Sequence, residues 1–235
     1  MTGGLHAAGN AMSSFATRHD VISHNLANVS TPGFAREDTY LARAAKVEES
    51  PFDPPEVRTR TQFTPGPPTL TNNPLDLSLQ GSGFFTLITD AGERYSRNLS
   101  LRVDAEGFLR DDAGHAVLGE NGLMHVGEGT PSVETDGTVL VDGAPLDRLK
   151  LTTFAHGDDL EREAAGLYAL QKGHAPDPKA ERPLVQSGQI EGSGVQAVPE
   201  LVNMIEALRA YEAAAAAVRA TDATLDKAVN EIARV

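Results

Sequence analysis

Residues 5–29 of this chain read LHAAGNAMSSFATRHDVISHNLANV and carry a regular stripe of mostly apolar side chains. The members follow one another in steps of three and four residues: Leu5, Ala8, Met12, Phe15, His19, Ile22, Leu26 and Val29. This spacing places them on one face of an α-helix, with a drift that suits a supercoiled partner. We expect the helix to end before Pro32-Gly33, because proline disfavours α geometry in Thr31 and glycine permits a reversal.

The other end of the chain repeats the pattern. Pro199 suits a first helical position, and neither Gly nor Pro follows it. The second stripe consists of Leu201, Ile205, Leu208, Ala215, Val218, Leu225, Val229 and Ile232. An isolated amphipathic helix is marginal in water. The two ends therefore either pair as a two-helix stalk or bury their stripes in neighbouring molecules.

The middle of the chain is predicted to be β structure that follows a Pro-rich connector. Apolar and polar residues alternate in Leu75–Leu79 and Leu99–Val103, and Phe84–Ile88 reads as a short buried strand. Asn-Gly and Asp-Gly pairs, which favour hairpin turns, occur at Asn121, Asp136 and Asp142. Many short strands without intervening helices predict an antiparallel sheet or a small barrel. The predicted class is α+β.

Composition excludes several functions. Lys and Arg number 20 against 33 Asp and Glu, a net charge of −13 that repels nucleic acids and anionic membranes. The chain has no cysteine, which removes disulfides, thiolate zinc sites and cysteine nucleophiles. No stretch approaches the roughly 20 apolar residues of a membrane span, and the first residues lack the pattern of a cleavable signal peptide.

The sequence offers no arrangement for catalysis. No two of the 7 histidines have the four-residue spacing of helical zinc ligands, and His19 is better explained as packed at an interface. Asp111-Asp112 and Asp158-Asp159 could pair as acid and base, but they lie beside turn signals where solvated acids are ordinary. We therefore predict no catalytic, cofactor-binding or metal-binding residue, no cofactor, no small-molecule substrate and no nucleic-acid partner. The chain is not expected to be an enzyme.

Several blocks, in order along the chain, resemble the signatures of flagellar axial proteins. ISHNLANVSTPGF at Ile22–Phe34 resembles the N-terminal signature, although His24 stands where the family often has Asn. Further blocks are TNNPLDL at Thr71–Leu77, GSGFF at Gly81–Phe85, YSRN at Tyr95–Asn98, DAEG at Asp104–Gly107, GQIEGSGV at Gly188–Val195 and LVNMIEALRAYE at Leu201–Glu212. The chain is thereby identified as similar to flagellar basal-body rod and hook proteins. The resemblance favours the proximal rod type, with a distal rod or hook-type protein as the alternative.

The resemblance implies a layout and a function. N- and C-terminal helices would pair, coiled-coil-like, as an inner domain that lines an axial tube, and a central antiparallel β domain would face outward. The subunits would assemble in a helical lattice that transmits torque from motor to hook. The implied partners are the chain itself, other rod subunits and the flagellar type III export apparatus. The implied location is the basal-body rod, crossing the periplasm of a Gram-negative cell after export without a cleavable signal peptide.

Domain boundaries and assembly residues follow. We expect a terminal helical domain at 1–37 and 196–235, an extended connector at 38–74 and 185–195, and a β-rich domain at 75–184. The expected assembly interface comprises Leu5, Met12, Phe15, Ile22, Asn25, Leu26, Asn28, Gly33, Phe34, Leu201, Met204, Ile205, Leu208, Tyr211, Val218 and Leu225. These residues could instead stabilise only the helix pair of a monomer. A rival class is a β-domain binding module on a coiled-coil stalk, which would form a discrete, closed oligomer.

Overall fold

The computed structural model describes residues 2–42, 56–163, 166–177 and 180–232. Helix α1 (Thr2–Ala27) precedes a series of antiparallel strands along the chain, and helix α2 (Ala197–Ile232) follows them. This order confirms the predicted α+β class. Helix α1 ends before Pro32-Gly33, as expected. Helix α2 begins two residues before Pro199, which lies in the first turn, where backbone N–H groups have no intrahelical acceptor.

The chain divides into two units. The helical unit comprises the described residues of Met1–Val29, Glu37–Arg60 and Val195–Val235. The β unit comprises those of Ser30–Arg36 and Thr61–Gly194. In the helical unit α1 packs against α2, and the buried side chains of α1 are Val21, Ile22 and Asn25 among those described. Strands β1 (Arg36–Ala42) and β2 (Glu56–Gln62) pair as a two-stranded ribbon.

The β unit consists of short strands in four sheets within the described ranges. The strands are β3 (Pro68–Leu70), β4 (Asp76–Gln80), β5 (Phe84–Thr89), β6 (Gly92–Ser96), β7 (Asn98–Ser100), β8 (Arg102–Val103), β9 (Leu109–Arg110), β10 (Ala116–Gly119), β11 (Gly122–Leu123), β12 (Pro131–Val133), β13 (Thr138–Val141), β14 (Ala144–Arg148), β15 (Leu151–Thr152), β16 (Leu160–Arg162), β17 (Tyr168–Leu170), β18 (Leu184–Ser187) and β19 (Gln189–Glu191). The largest sheet has the order β16-β17-β6-β5-β10-β9-β8, with β11 on β10 and β15 on β5. The smaller sheets are β12-β13-β14, β18-β4-β7 and β19-β3.

Strand β5 lies between two apolar clusters. Phe85 and Leu87 face the larger, mainly aliphatic cluster, which also contains Leu77 of β4. Phe84 faces a smaller aromatic cluster with Tyr95 and Tyr168. Because successive side chains of a strand point to opposite faces, a strand buried on both sides reads as a continuous apolar run. The prediction of a buried strand at Phe84–Ile88 is confirmed.

The turn signals differ in how they are used. Asp142 and Gly143 have φ values of 51° and 81° and join β13 to β14 in the left-handed geometry that favours an Asp-Gly pair. At the β10–β11 hairpin Gly122 is instead paired with Gly119, so the loop residues are Glu120 and Asn121.

The two segments expected to form an extended connector contain strands. Strands β1, β2 and β3 lie within or overlap 38–74, and β18 and β19 lie within or overlap 185–195. Pro51, Pro54 and Pro55 of the Pro-rich stretch fall outside the described residues.

Candidate assembly surfaces

Helix α2 presents two different faces. Glu200 and Ala207 are each 1% exposed, and helical periodicity places Met204, Val218 and Leu225, all half-buried, on or beside the same face. An apolar row lies on the other side of the helix, and each of its side chains is at least 46% exposed: Val198, Leu201, Val202, Ile205 and Leu208. We call these five residues the outer stripe. Tyr211, 37% exposed, follows Met204 by seven residues and therefore lies on the side of Ala207.

The stripe predicted from the sequence is therefore split in the fold. Leu201, Ile205 and Leu208 are solvent-exposed in the isolated chain, whereas Val218 and Leu225 lie on the more buried side. On α1, Ile22 is buried and Met12, Phe15 and Leu26 are half-buried, while the side chain of Leu5 lies outside the described ones.

Asn25 clamps the strand that follows α1. Its side-chain Nδ2 donates to the carbonyl of Glu37 at 2.7 Å, and its Oδ1 accepts from the Glu37 N–H at 2.9 Å. The side chain of Asn25 is fully buried. Asn28 donates from Nδ2 to the carbonyl of His24 at 2.9 Å and so caps the end of the helix. Both asparagines of the signature thus satisfy backbone groups of their own chain.

Gly33 and Phe34 belong to the β unit. Gly33 has a φ of +67°, and its N–H donates to the carbonyl of Glu191 at 2.8 Å. A Cβ at this position would lie 2.8 Å from Nδ2 of Asn98, so the site requires glycine on two grounds. Phe34 is buried, and the guanidinium of Arg162 stacks over its ring at 4.0 Å.

Arg97 and Glu191 form a buried ion pair for which the sequence reading assigned no role. Arg97 is 4% exposed, and its Nη2 lies 2.7 Å from Oε2 of Glu191. The two residues lie in blocks of the family resemblance, at Tyr95–Asn98 and Gly188–Val195. The sequence offered a signal for Glu191, which stands between Ile190 and Gly192, but none for Arg97, which stands between Ser96 and Asn98. Only the fold shows that the two charges meet.

The acidic pairs considered as acid–base candidates are held by cations or backbone donors. Oδ2 of Asp111 lies 2.8 Å from Nδ1 of His115, and Asp112 lies 2.9 Å from Arg102. Burial alone would raise the pKa of Asp159, but hydrogen bonds from the His156 backbone and the His174 ring outweigh it and lower that pKa. The side chain of Asp158 lies outside the described ones. These carboxylates have structural partners.

Two further properties concern the described residues. They contain no cluster of three or more His, Cys, Asp or Glu side chains that could hold a metal ion. No helix among them has the length and apolar character to cross a membrane.

Comparison with known proteins decides the family. The model of the flagella basal body rod protein family matches residues 5–34, and that of the flagellar basal body rod FlgEFG protein C-terminal region matches residues 186–231. The flagellar basal-body rod protein FlgF of Escherichia coli K12 is 36% identical over 227 residues, covering 88% of this chain and 89% of the relative. The chain belongs to the flagellar basal-body rod protein family.

Within that family the similarity is of the FlgF type. FlgF of Caulobacter vibrioides is 34% identical over 212 residues, covering 83% of this chain and 84% of the relative. FlgG of the same organism is 30% identical over 247 residues, covering 88% and 91%. The resemblance found in the sequence is thus confirmed, and so is the prediction that the chain is not an enzyme, because this is a family of structural rod proteins.

The two matched regions of this rod-family chain contain the surfaces described above. The N-terminal match includes Asn25, Gly33 and Phe34, and the C-terminal match includes Glu191 and the whole outer stripe. The regions by which the family is recognised are therefore helix α1 with the turn that follows it, the end of the β unit and helix α2.

Proposed function

We propose that this chain is a structural subunit of the flagellar rod that assembles with its own copies and with other rod subunits in a helical lattice, through its terminal helices. The observation that carries the proposal is the outer stripe of α2. Five large apolar side chains lie exposed on one helical face between Val198 and Leu208. A contiguous exposed apolar row of this kind marks an interaction surface.

The stripe is large enough to matter for assembly. From Val198 to Leu208 the helix rises about 15 Å. Each side chain is roughly half exposed, so complete burial in a neighbour contributes about 1 kcal/mol apiece, or about 5 kcal/mol for the row. The contact is head-to-tail when the outer stripe of one subunit docks on a different surface of its neighbour. Such contacts build open helical filaments when they do not close into rings.

The finer features of the function belong to the same proposal. Paired helices in a coiled-coil-like arrangement would line the tube, and their three-and-four spacing supports that packing. A lattice of packed helices resists twisting, which suits a torque-transmitting shaft. The family resemblance further supports a rod that crosses the periplasm, and export of the unfolded chain by the type III apparatus without a cleavable signal peptide.

The test replaces three of the five apolar side chains of the outer stripe by glutamine, a residue that also favours helix. The triple variant Leu201→Gln, Ile205→Gln, Leu208→Gln is expected to fold with an unchanged circular dichroism spectrum and thermal midpoint, because these side chains are exposed. It is expected to abolish swarming when it replaces the native chain in the motile source cell.

The matched control puts three glutamines at exposed alanines away from the stripe on the same helix, in the variant Ala213→Gln, Ala217→Gln, Ala220→Gln. This control is expected to retain swarming. Wild-type swarming by the stripe variant would rule out the outer stripe as the assembly surface. A discrete, closed oligomer of the purified native chain in sedimentation would favour a stalked binding module instead.

A further inference from the structure

The last residues of the β unit bind several separate segments of that unit. The carbonyl of Gly188 accepts from the N–H groups of Thr71 and Asn72 at 2.9 and 3.2 Å. In β19, Gln189, Ile190 and Glu191 pair with the three residues of β3. Two glycine N–H groups complete the set: Gly192 donates to Pro67 and Gly194 donates to Phe34, both at 2.9 Å. We call residues 188–194 the strap.

Hydrophobic burial contributes little to holding the strap. Its sequence is GQIEGSG, in which Ile190 is the one large apolar residue, and that residue is only half-buried. Its glycines instead allow close backbone approach, since a Cβ at Gly192 would lie 2.6 Å from the carbonyl oxygen of Pro67. A segment fixed by backbone hydrogen bonds and small residues has a low cost of local opening unless something else anchors it.

Glu191 is that anchor, because side-chain and backbone groups of the surrounding segments bind both its carboxylate and its backbone. We call these surrounding groups the socket. Its Oε2 accepts from Nε and Nη2 of Arg97 at 3.0 and 2.7 Å, and Oε1 accepts from the Gly66 N–H at 3.4 Å. Its backbone N–H donates to Oδ1 of Asn98 at 2.6 Å. Its carbonyl accepts from Asn98 Nδ2 and from the Gly33 N–H at 2.7 and 2.8 Å. One residue of the strap thus contacts three other segments.

The cationic half of the socket is held independently of the strap. Arg97 donates from Nη1 to the carbonyls of Gly81 and Gly83 at 2.9 and 2.7 Å, and from Nη2 to that of Leu79 at 3.4 Å. The Leu79 carbonyl belongs to β4, and those of Gly81 and Gly83 lie between β4 and β5, whose Phe85 lies in the main apolar cluster. The guanidinium therefore keeps its position when the strap is released, and it offers the same binding site when the strap returns.

We propose that the strap opens and closes as a separate cooperative unit. The ion pair between Glu191 of the strap and Arg97, which stays fixed in the rest of the β unit, holds the strap closed. In the closed state the carboxylate neutralises the buried guanidinium. In the open state the strap, the Gly33 turn and the 66–72 segment lose their mutual hydrogen bonds while the β5–β6–β10 sheet stays folded. The proposal concerns the β unit by itself, so its failure leaves the proposed assembly role untouched.

Hydrogen exchange of the full chain, followed by mass spectrometry, tests the proposal through the variant Glu191→Gln. Breaking a buried ion pair by removing one partner is costly because the other charge stays buried. Peptides covering 31–34, 66–72 and 188–194 are expected to exchange about a hundredfold faster in the variant. Peptides covering β5 and β6 are expected to exchange at the wild-type rate.

The matched control is Glu163→Gln. Glu163 also accepts from the Nε and Nη2 of an arginine, here Arg94 at 2.6 and 2.9 Å, one bond to each carboxylate oxygen, but this pair is partly exposed to solvent. The control is expected to leave the exchange of all these peptides unchanged, because exposed pairs contribute little. Uniformly faster exchange over the whole β unit in Glu191→Gln, or no more change than in the control, would overturn the proposal.

A second variant covers the case in which Glu191→Gln does not yield folded protein. Glu191→Asp keeps the charge but is one methylene shorter, so it weakens the ion pair without leaving Arg97 uncompensated. In the Glu191→Asp variant, hydrogen exchange of the same three peptides is expected to be about tenfold faster than in the wild type. Exchange in β5 and β6 is expected to be unchanged. The same two contrary patterns, uniform acceleration or none, overturn the proposal here as well.

Discussion

The side-chain amides of two asparagines in this chain bond to both the N–H and the carbonyl of one residue, as the backbone of a neighbouring strand would. Asn25 exchanges a pair of hydrogen bonds with the backbone of Glu37, and Asn98 does the same with the backbone of Glu191. In each case the residue before the asparagine contacts the carboxylate of that same glutamate, at 3.4 Å for His24 and 2.7 Å for Arg97. Among the described residues, each unit thus has a basic residue and an asparagine in succession that together fix the backbone and the side chain of one glutamate.

At the residue scale, a pH prediction follows from Asp136 in the β12–β13 turn. Hydrogen bonds from Thr138, its backbone N–H first, and then from Arg148 lower the pKa of Asp136 to about 2. A carboxyl whose pKa is depressed in the folded state stabilises it above the unfolded pKa of about 4. That contribution is lost as the pH falls from about 4 towards the folded value. We expect the difference in unfolding free energy between wild type and Asp136→Asn to shrink over this range.

Denaturant unfolding at pH 6, 4 and 2.5 measures this difference. The control is Asp90→Asn, which replaces an exposed aspartate in the β5–β6 turn by the same chemical change and leaves the contacts of Asp136 in place. A stability difference for Asp136→Asn that grows as the pH falls would contradict the assigned cause.

At the element scale, helix α2 shows what the sequence could and could not determine. The three-and-four spacing predicted the helix and its apolar residues. It did not predict which face would be buried, because hydropathy selects Leu201 and Ile205 over Glu200 and Ala207. The fold buries Glu200 and Ala207 instead. Glu200 lies in the first turn of the helix, where the helix dipole favours a negative charge, and alanine permits close packing.

Ala207 gives a prediction about this buried face. Ala207→Leu is expected to lower the unfolding free energy by about 1–3 kcal/mol, because extra methylenes at a packed site force strain. The same change at exposed Ala213 is expected to have an effect within about 0.5 kcal/mol. Chemical denaturation followed at 222 nm measures both variants. Equal effects at the two alanines would show that the face of α2 with Ala207 is not packed as described.

At the scale of the whole molecule, the sequence predicted the order of elements but not how the residues are shared between the two units. Residues 30–36 group with the β unit, and the described residues 37–42 and 56–60 group with the helical unit. Within the β unit Gly33 bonds to Glu191, and within the helical unit Asn25 bonds to Glu37. Such pairs, 158 and 12 residues apart in the chain, leave no local periodic signal.

The lengths of the two helices lead to the last prediction. Helix α1 has 26 residues and α2 has 36, so α2 exceeds its partner by about 15 Å. The buried side chains of α2 end at Ala207, and between residues 208 and 227 every side chain is exposed or half-buried. The C-terminal half of α2 is therefore the least protected part of the described helical unit in the isolated chain. Limited trypsin digestion of the dilute protein is expected to cut first at Arg219 and Lys227.

Cleavage at Arg209 on the same helix and at Arg97 in the β unit should be slower, by about tenfold or more for the buried Arg97. Mass spectrometry identifies the fragments, and the variant Arg219→Gln serves as a control, because it removes one early fragment and leaves the rest. If the rod assembles through α2, the early cuts at Arg219 and Lys227 disappear in assembled particles at the same protease concentration. First cleavage within Thr61–Gly194 would contradict the description of α2 as the exposed element.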